Sequence, residues 1–237
     1  MTNAHGQQVG DVVPGWEPRP GPGPVQLDGR HVRVVPLTSA RYADLYESCC
    51  GPDDDDLWTY RPVDRPDSLA TLWMHLASVV EAPDMLTFAL VPLEGVAAGK
   101  AAGIASYMRI EPAHGQVEVA GVLFARRLQR TRAATEAIHL LMRHAFDDLG
   151  YRRFEWKCDS LNEPSRRAAA RLGFTYEGRF RHHMVTKGRN RDTDWFSVTD
   201  TEWPAVRDAH ERWLDPANFD ERGLQRSRLQ TARDLAG

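Results

Sequence analysis

Four arginines, Arg126, Arg127, Arg130 and Arg132, fall within seven positions, interleaved with Gln129 and Thr131 and just ahead of a helical run that starts near Ala133. The first turn of a helix carries unpaired backbone N–H groups and the positive end of the dipole, so a phosphate would be held there by amides, hydroxyls and guanidinium groups together. A solvated basic turn is the plainer alternative. Upstream, Glu118 stands between Val117 and Val119, and strand alternation turns its carboxylate to the face opposite the two valines. An amine of pKa about 10 is mostly protonated at neutral pH, and such a carboxylate can accept its proton. Asp159, His182 and His183 are rival bases, and Glu118 could instead face solvent or pair with an arginine across the sheet. Gly121, three positions on, predicts a bulge that opens the strand to a ligand, with a backbone amide near Val122 available to an oxyanion.

These groups need a strand, a loop and a helix in that order. Val117, Val119, Val122 and Phe124 supply the strand; Ala134, Ile138, Leu141, Met142, Ala145 and Leu149 recur at helical spacing. Earlier, Asp28-Gly29 predicts a turn inside a hairpin over 25–36, and Thr38 or Ser39 can cap a helix running to about Ser48. Asp67 or Ser68 caps a second helix, whose Leu69, Leu72, Trp73, Leu76 and Val80 form an apolar stripe read as core. Strands follow over 85–91 and 98–110. After the long helix come a strand over 151–158, a helix over 164–172 stopped by Gly173, a strand over 175–186 and a short strand over 194–198. Asn162 is a ready N-cap for the second of these helices, with Pro164 in its first turn. Trp203, Val206, His210 and Trp213 mark a last amphipathic helix. Sequential strands followed by strands alternating with helices give an α+β fold with a mixed, mostly antiparallel central sheet flanked by helices.

The 237 residues divide into a Pro/Gly-rich arm at 1–24, one domain at 25–200 and a helical extension at 201–237. A formal charge of −3 gives no general attraction to nucleic acid or anionic membrane, so the arginine cluster acts as a local field. No run reaches the roughly 20 apolar residues of a membrane span, the N-terminus has no leader pattern, and the expected location is the cytoplasm. Three cysteines, two of them adjacent, show no zinc-ligand spacing, and no metal is expected.

The strand, arginine loop and helix, followed by Asn162-Glu163-Pro164-Ser165 and Arg171-Leu172-Gly173-Phe174, resemble the GCN5-related N-acetyltransferase (GNAT) superfamily, in its ribosomal-protein N-acetyltransferase-like (RimJ/RimL-type) branch. The resemblance covers roughly residues 25–203. The family's loop usually reads Gln or Arg, two residues, Gly, one residue, Gly or Ala. Here Gln129-Arg130-Thr131-Arg132-Ala133-Ala134 puts Arg132 where the first glycine stands, and a left-handed backbone at an arginine would be costly. The resemblance implies acetyl-CoA or another acyl-CoA as co-substrate. Its pantetheine arm would lie along Val122, Leu123 and Phe124, and its pyrophosphate within Gln129 to Thr135. Asn162 would contact the donor arm, Ser165 would stand near the leaving sulfur, and Glu118, Asn162 and Ser165 would serve catalysis.

The acceptor side is less defined. The acidic run Asp53 to Asp56 with Trp58 and Tyr60 reads as a solvated loop or as one wall of an acceptor pocket. Trp58, Tyr60, Tyr107, Phe180 and Trp195 with His182 and His183 could line one cavity, Trp58, Tyr60, His182 and His183 being the substrate-binding candidates. The leading expectation is an N-acyltransferase that moves an acetyl, succinyl or other acyl group from CoA to a primary amine of a small molecule or peptide by direct attack. Arg179 or Arg181 would answer a succinyl carboxylate. The alternatives are a transferase taking its acyl group from aminoacyl-tRNA, with Arg152 and Arg153 joining the loop arginines on RNA, and a non-catalytic protein that sequesters an amine. Monomer and homodimer are both compatible with the sequence.

Overall fold

Alternating apolar positions bring the strands into one sheet of eight, described here in a computed structural model covering residues 1–229. The strands are β1 (Leu27–Asp28), β2 (Val32–Pro36), β3 (Met85–Pro92), β4 (Gly103–Glu111), β5 (Gln116–Phe124), β6 (Arg153–Asp159), β7 (Thr175–Thr186) and β8 (Arg189–Thr199). Their spatial order is β1-β2-β3-β4-β5-β6-β8-β7, and every pair is antiparallel except β5 with β6. The helices are α1 (Tyr42–Cys49), α2 (Leu69–Val80), α3 (Arg132–Arg143), α4 (Glu163–Arg171) and α5 (Trp203–Leu214). This is the mixed, mostly antiparallel α+β architecture expected.

Alternation along β6 decides which face is covered. Phe154 meets Phe146 just past α3 and Phe174, and Trp156 donates its indole N–H to Ser165 of α4. The even positions of β6 therefore face α3 and α4. Arg153, Glu155 and Lys157 face the other way, as does Glu118, which lies in register with Glu155. On that second face the β7–β8 hairpin bends at register shifts between Tyr176 and Gly178 and between Phe180 and Met184.

Several local expectations change. The last strand is 11 residues long rather than five, because the polar run Arg189 to Thr193 pairs with Phe180 to Thr186 of β7 despite its composition. Thr38 makes no capping bond; a 3-10 turn over Ser39–Arg41 leads into α1 instead. In α2 only Leu72 and Leu76 are buried, whereas Leu69, Trp73, Met74 and Val80 are exposed. Ser68 does cap that helix, accepting from the Thr71 N–H. In the N-terminal arm, Trp16 hydrogen-bonds the Ala113 carbonyl and lies between Arg19 and Arg152, so this part wraps the β4–β5 turn. Helix α5 packs on α3, and residues 230–237 of the region assigned to the C-terminal extension lie outside the described residues.

Candidate active site

Strands β5 and β6 pair only from Gln116↔Arg153 to Val119↔Trp156. Beyond that step β5 runs on to Phe124 and β6 to Asp159 without pairing to each other, so the sheet opens as a V. On the other side, β5 shifts register against β4: Ala120 faces Ser106 and Leu123 faces Ile104, which leaves Gly121 and Val122 without a partner on either neighbouring strand. Gly121 has φ 58°, a value its missing Cβ permits. The predicted bulge is therefore present, and it lies just inside the V.

Glu118 stands one residue before the V opens. It is 1% exposed, with Lys157 Nζ at 3.1 Å and Arg109 Nε at 3.4 Å from its Oε2. Burial pushes its carboxyl up, Lys157 and Arg109 oppose this, and neighbouring Glu155 adds to it. A carboxylate with a raised proton affinity is a better acceptor for an amine proton. The pairing with an arginine across the sheet, the alternative read from the sequence, is present as well.

Next to Glu118 on the same face is a cavity of about 400 Å³ lined by Arg109, Gln116, Arg153, Glu155, Glu177, Gly178, Phe180, His183 and Trp195. Arg153 bridges Glu155 and Glu177. Arg109 and Lys157 both lie over the Trp195 ring, at 5.0 and 5.3 Å. Two non-glycine residues with positive φ flank it: Arg109 at 50°, where β4 bulges, and His182 at 51°, in the kink of β7. Such conformations cost energy and gather at ligand-binding sites.

The single aromatic cavity expected from the sequence is not what forms. Of its members, His183, Phe180 and Trp195 line the cavity beside Glu118. Trp58 and Tyr60 line a separate cavity of about 520 Å³ with Asp159, Lys187 and Arg191. Tyr107 is fully buried on the α3 face, where its hydroxyl donates to the Leu141 carbonyl. His182 is exposed and outside both cavities, and its backbone N–H donates to Asp192. His183 Nδ1 bonds Thr193 Oγ1, and burial with Lys157 and Arg109 nearby pushes its pKa down. Asp159 is committed to the Leu161 N–H.

On the covered face, α3 begins at Arg132, with Thr131 as N-cap accepting from the Ala134 N–H. The amides of Arg132 and Ala133 precede the first intrahelical bond and remain an anion site. The surrounding arginines divide unequally. Arg126 is taken by Asp54 and Asp56, Arg127 by the Ser48 hydroxyl, and Arg132 by Glu94 with Phe219 under its guanidinium. Arg130 makes no ion pair among the described residues, and it, not Arg132, takes the left-handed backbone, with φ 60°. Helical φ at the first position of α3 suits an arginine, which is why the strain moves two residues back. Gln129 donates to the Phe124 carbonyl, closing the loop on the end of β5, and Thr135 lies beneath Arg171.

Asn162 caps α4 by accepting from the Ser165 N–H, as expected. The Ser165 hydroxyl accepts from Trp156 and lies against the Cys158 thiol, on the β6 arm of the V. All three cysteines are free and buried; burial pushes Cys49 up to about 12 and Cys50 and Cys158 up to about 11, so none is a thiolate near neutral pH.

The segment that builds this V, its bulged strand and the helix at its head lies within residues 31–175, which match a family model described as an acetyltransferase (GNAT) domain. The chain belongs to the GNAT family. Among solved structures, a GNAT protein from Brucella melitensis is 44% identical, with 94% of this chain and 100% of that one covered and a TM-score of 0.90. One from Chromobacterium violaceum is 36% identical, covering 84% and 98%, with a TM-score of 0.76. YdaF of Bacillus subtilis, whose name assigns it provisionally as a ribosomal N-acetyltransferase, is 24% identical over 144 residues, or 55% of this chain and 78% of its own length. This GNAT protein is accordingly an acyltransferase, and the family's acyl donor is acetyl-CoA.

One member of the site carried almost no sequence signal. Arg61, at the end of a loop dominated by aspartates, reaches Gly121 O at 2.9 Å and Val122 O at 3.4 Å. Its neighbour Tyr60 donates its hydroxyl to Leu161 O, beyond the end of β6, so the pair spans the mouth of the V.

Proposed function

We propose that the protein transfers an acetyl or related acyl group from CoA to a primary amine of a peptide or compact molecule that enters over the β5–β8 face. The observation that carries this reading is the position of Glu118: buried at the vertex of the V, beside the cavity that Arg109 and Glu155 line on the second face. The amine nitrogen attacks the thioester carbonyl carbon. The C–N bond forms, Glu118 takes the amine proton, the C–S bond breaks, and the thiolate takes the Ser165 hydroxyl proton, which solvent then replaces.

Several observations support assigning the donor to the α3–α4 side. The Arg132 and Ala133 amides, the unpaired Arg130, the open edge of β5 over Val122–Phe124 and the Asn162 cap all belong to β5 or to the elements that follow β5 and β6 where these strands part. The high thiol pKa values favour direct attack over an acyl-cysteine route. Arg126, Arg127, Arg132 and Arg153 are occupied by carboxylate or hydroxyl partners, which weighs against an aminoacyl-tRNA donor gripped by them. Arg179 is bound in a fork to buried Asp194, which removes it as the residue answering a succinyl carboxylate. A peptide amine is favoured by the kinship with YdaF. Free cysteines fit a reducing cytoplasm, and no helix among the described residues is long and apolar enough to cross a membrane.

The test is thermal unfolding with acetyl-CoA, succinyl-CoA and free CoA, followed by thiol release from the stabilising donor across a panel of N-terminal peptides and small amines. A ligand bound only by the folded state raises the midpoint. A rise with acetyl-CoA, reduced in Arg130→Ala and followed by amine-dependent thiol release, is the expected result. No rise with any CoA would overturn the proposal.

A further inference from the structure

Arg61 is a cation with no carboxylate partner among the described residues, in a chain where most arginines near the site have one. Its Nε is enclosed without a hydrogen-bond partner, and its guanidinium stacks 5.2 Å from the Trp58 ring centroid. Burial pulls it down to about 10. Desolvating a charge without a counterion is expensive, and the loop holds this half-buried guanidinium in place through two backbone carbonyls and an aromatic face. Those carbonyls belong to Gly121 and Val122, the two β5 residues with no strand partner.

A trans peptide is planar, with its N–H directed opposite to its C=O. A guanidinium fixed on the Gly121 carbonyl therefore fixes the direction of the Val122 N–H, and one on the Val122 carbonyl does the same for Leu123. A charged donor on a carbonyl also polarises the N–H at the other end of that peptide, since hydrogen bonds in a chain strengthen one another. This peptide lies in the bulge, where neither β4 nor β6 gives it a register partner. The Tyr60 hydroxyl on Leu161 O ties the same segment to the β6 arm, and Lys187, from the β7–β8 turn, bonds the Trp58 carbonyl and pairs with Asp64.

We propose that Arg61 is a positioning residue for acyl transfer: through the Gly121 and Val122 carbonyls it aims and polarises the Val122 N–H as donor to the oxyanion formed when the thioester is attacked. It rests on the acyl-transfer reading above. Arg61 itself touches no reacting atom; the peptide it holds does. The unneutralised charge suits a step in which negative charge appears nearby only in transit.

The test compares Arg61→Lys, Arg61→Met and Tyr60→Phe with the native protein, using acetyl-CoA as probe. Three quantities are read: the acetyl-CoA-induced rise in melting midpoint, kcat and KM for thiol release with and without the amine panel, and the amide proton shift of Val122 by NMR. Removing an oxyanion donor outright costs on the order of 100-fold, so weakening one should cost about tenfold or more in kcat. The expected pattern is a tenfold or larger fall in kcat for Arg61→Met, a smaller one for Arg61→Lys, an unchanged acetyl-CoA midpoint rise and KM, and an upfield move of the Val122 amide proton. Tyr60→Phe should leave that proton in place. A native-like kcat and Val122 shift in Arg61→Met would overturn the inference while acyl transfer stands. So would a loss confined to KM and the midpoint rise, which would make Arg61 a part of donor binding. Should Arg61→Met fail to fold, the Arg61→Lys comparison reads the same quantities. Absence of any acetyl-CoA effect in the native protein would instead overturn the acyl-transfer reading.

Discussion

The arginine loop at 126–132 and the segment 58–61 carry charge in opposite ways. In the loop, charge is dense and mostly answered: Arg126 lies against Asp54 and Asp56, and Arg132 against Glu94. In the segment a single guanidinium, Arg61, follows a run of four aspartates and meets none of them. Those aspartates turn instead toward Arg126 and Arg65. Local charge density therefore gave a poor measure of which cation remains available to a ligand. An ion pair near a surface leaves little net field, whereas one desolvated charge without a counterion dominates its surroundings.

The same contrast applies to carboxylates and gives the largest expected effect. Glu118 and Asp54 each lie beside basic groups, but only Glu118 faces the vertex of the V. Glu118→Gln should lower kcat by about 10²- to 10⁴-fold while keeping the acetyl-CoA midpoint rise, as expected for loss of a general base. Asp54→Asn should leave kcat within a factor of a few. Equal losses in the two variants would erase the distinction. In the native enzyme, the acid limb of kcat/KM should fall at a pH above the ordinary glutamate range, because the Glu118 carboxyl is pushed up and its protonated form cannot act as base.

Within the loop, Arg130→Ala should weaken acetyl-CoA binding about tenfold by titration calorimetry, as expected for loss of a charge-assisted contact to phosphate. Arg126→Ala should leave that affinity nearly unchanged and lower the melting midpoint by only a few degrees, since its pairs are half exposed. Comparable losses in the two would mean that the paired arginines also serve the donor.

Buried groups away from the site give smaller effects. His139 and His210 adjoin each other beneath Trp203, and burial pulls their pKa values down to about 4 and about 3. Their neutral forms belong to the folded state, so their contribution is full above about pH 6.5 and is lost as pH falls toward those values. Melting midpoints should therefore drop with acidification across that window, and His210→Gln should flatten the dependence. Inside the V, Ser165→Ala also has a structural cost apart from any loss of rate: it leaves the buried Trp156 N–H without its acceptor and should cost about 1–3 kcal/mol by denaturant unfolding.

The sequence by itself determined the order of elements around the site. Val117 to Phe124 and Ala134 to Met142 carry periods of two and 3.6 that allow one reading each, and Thr131, Ser68 and Asn162 cap helices by rules that operate within four residues. Glu118 was legible because alternation alone fixes its face. The bulge was legible in Gly121. What pairs with what over long separations was decided by the tertiary structure: the divergence of β5 from β6, the capture of Arg126 by a loop some 70 residues earlier, and the extension of β8 through polar residues by its pairing with β7. Arg61 belongs to this second group. Its role depends on a backbone carbonyl 60 positions away, and no local pattern of residue types records which carbonyls a fold leaves unpaired.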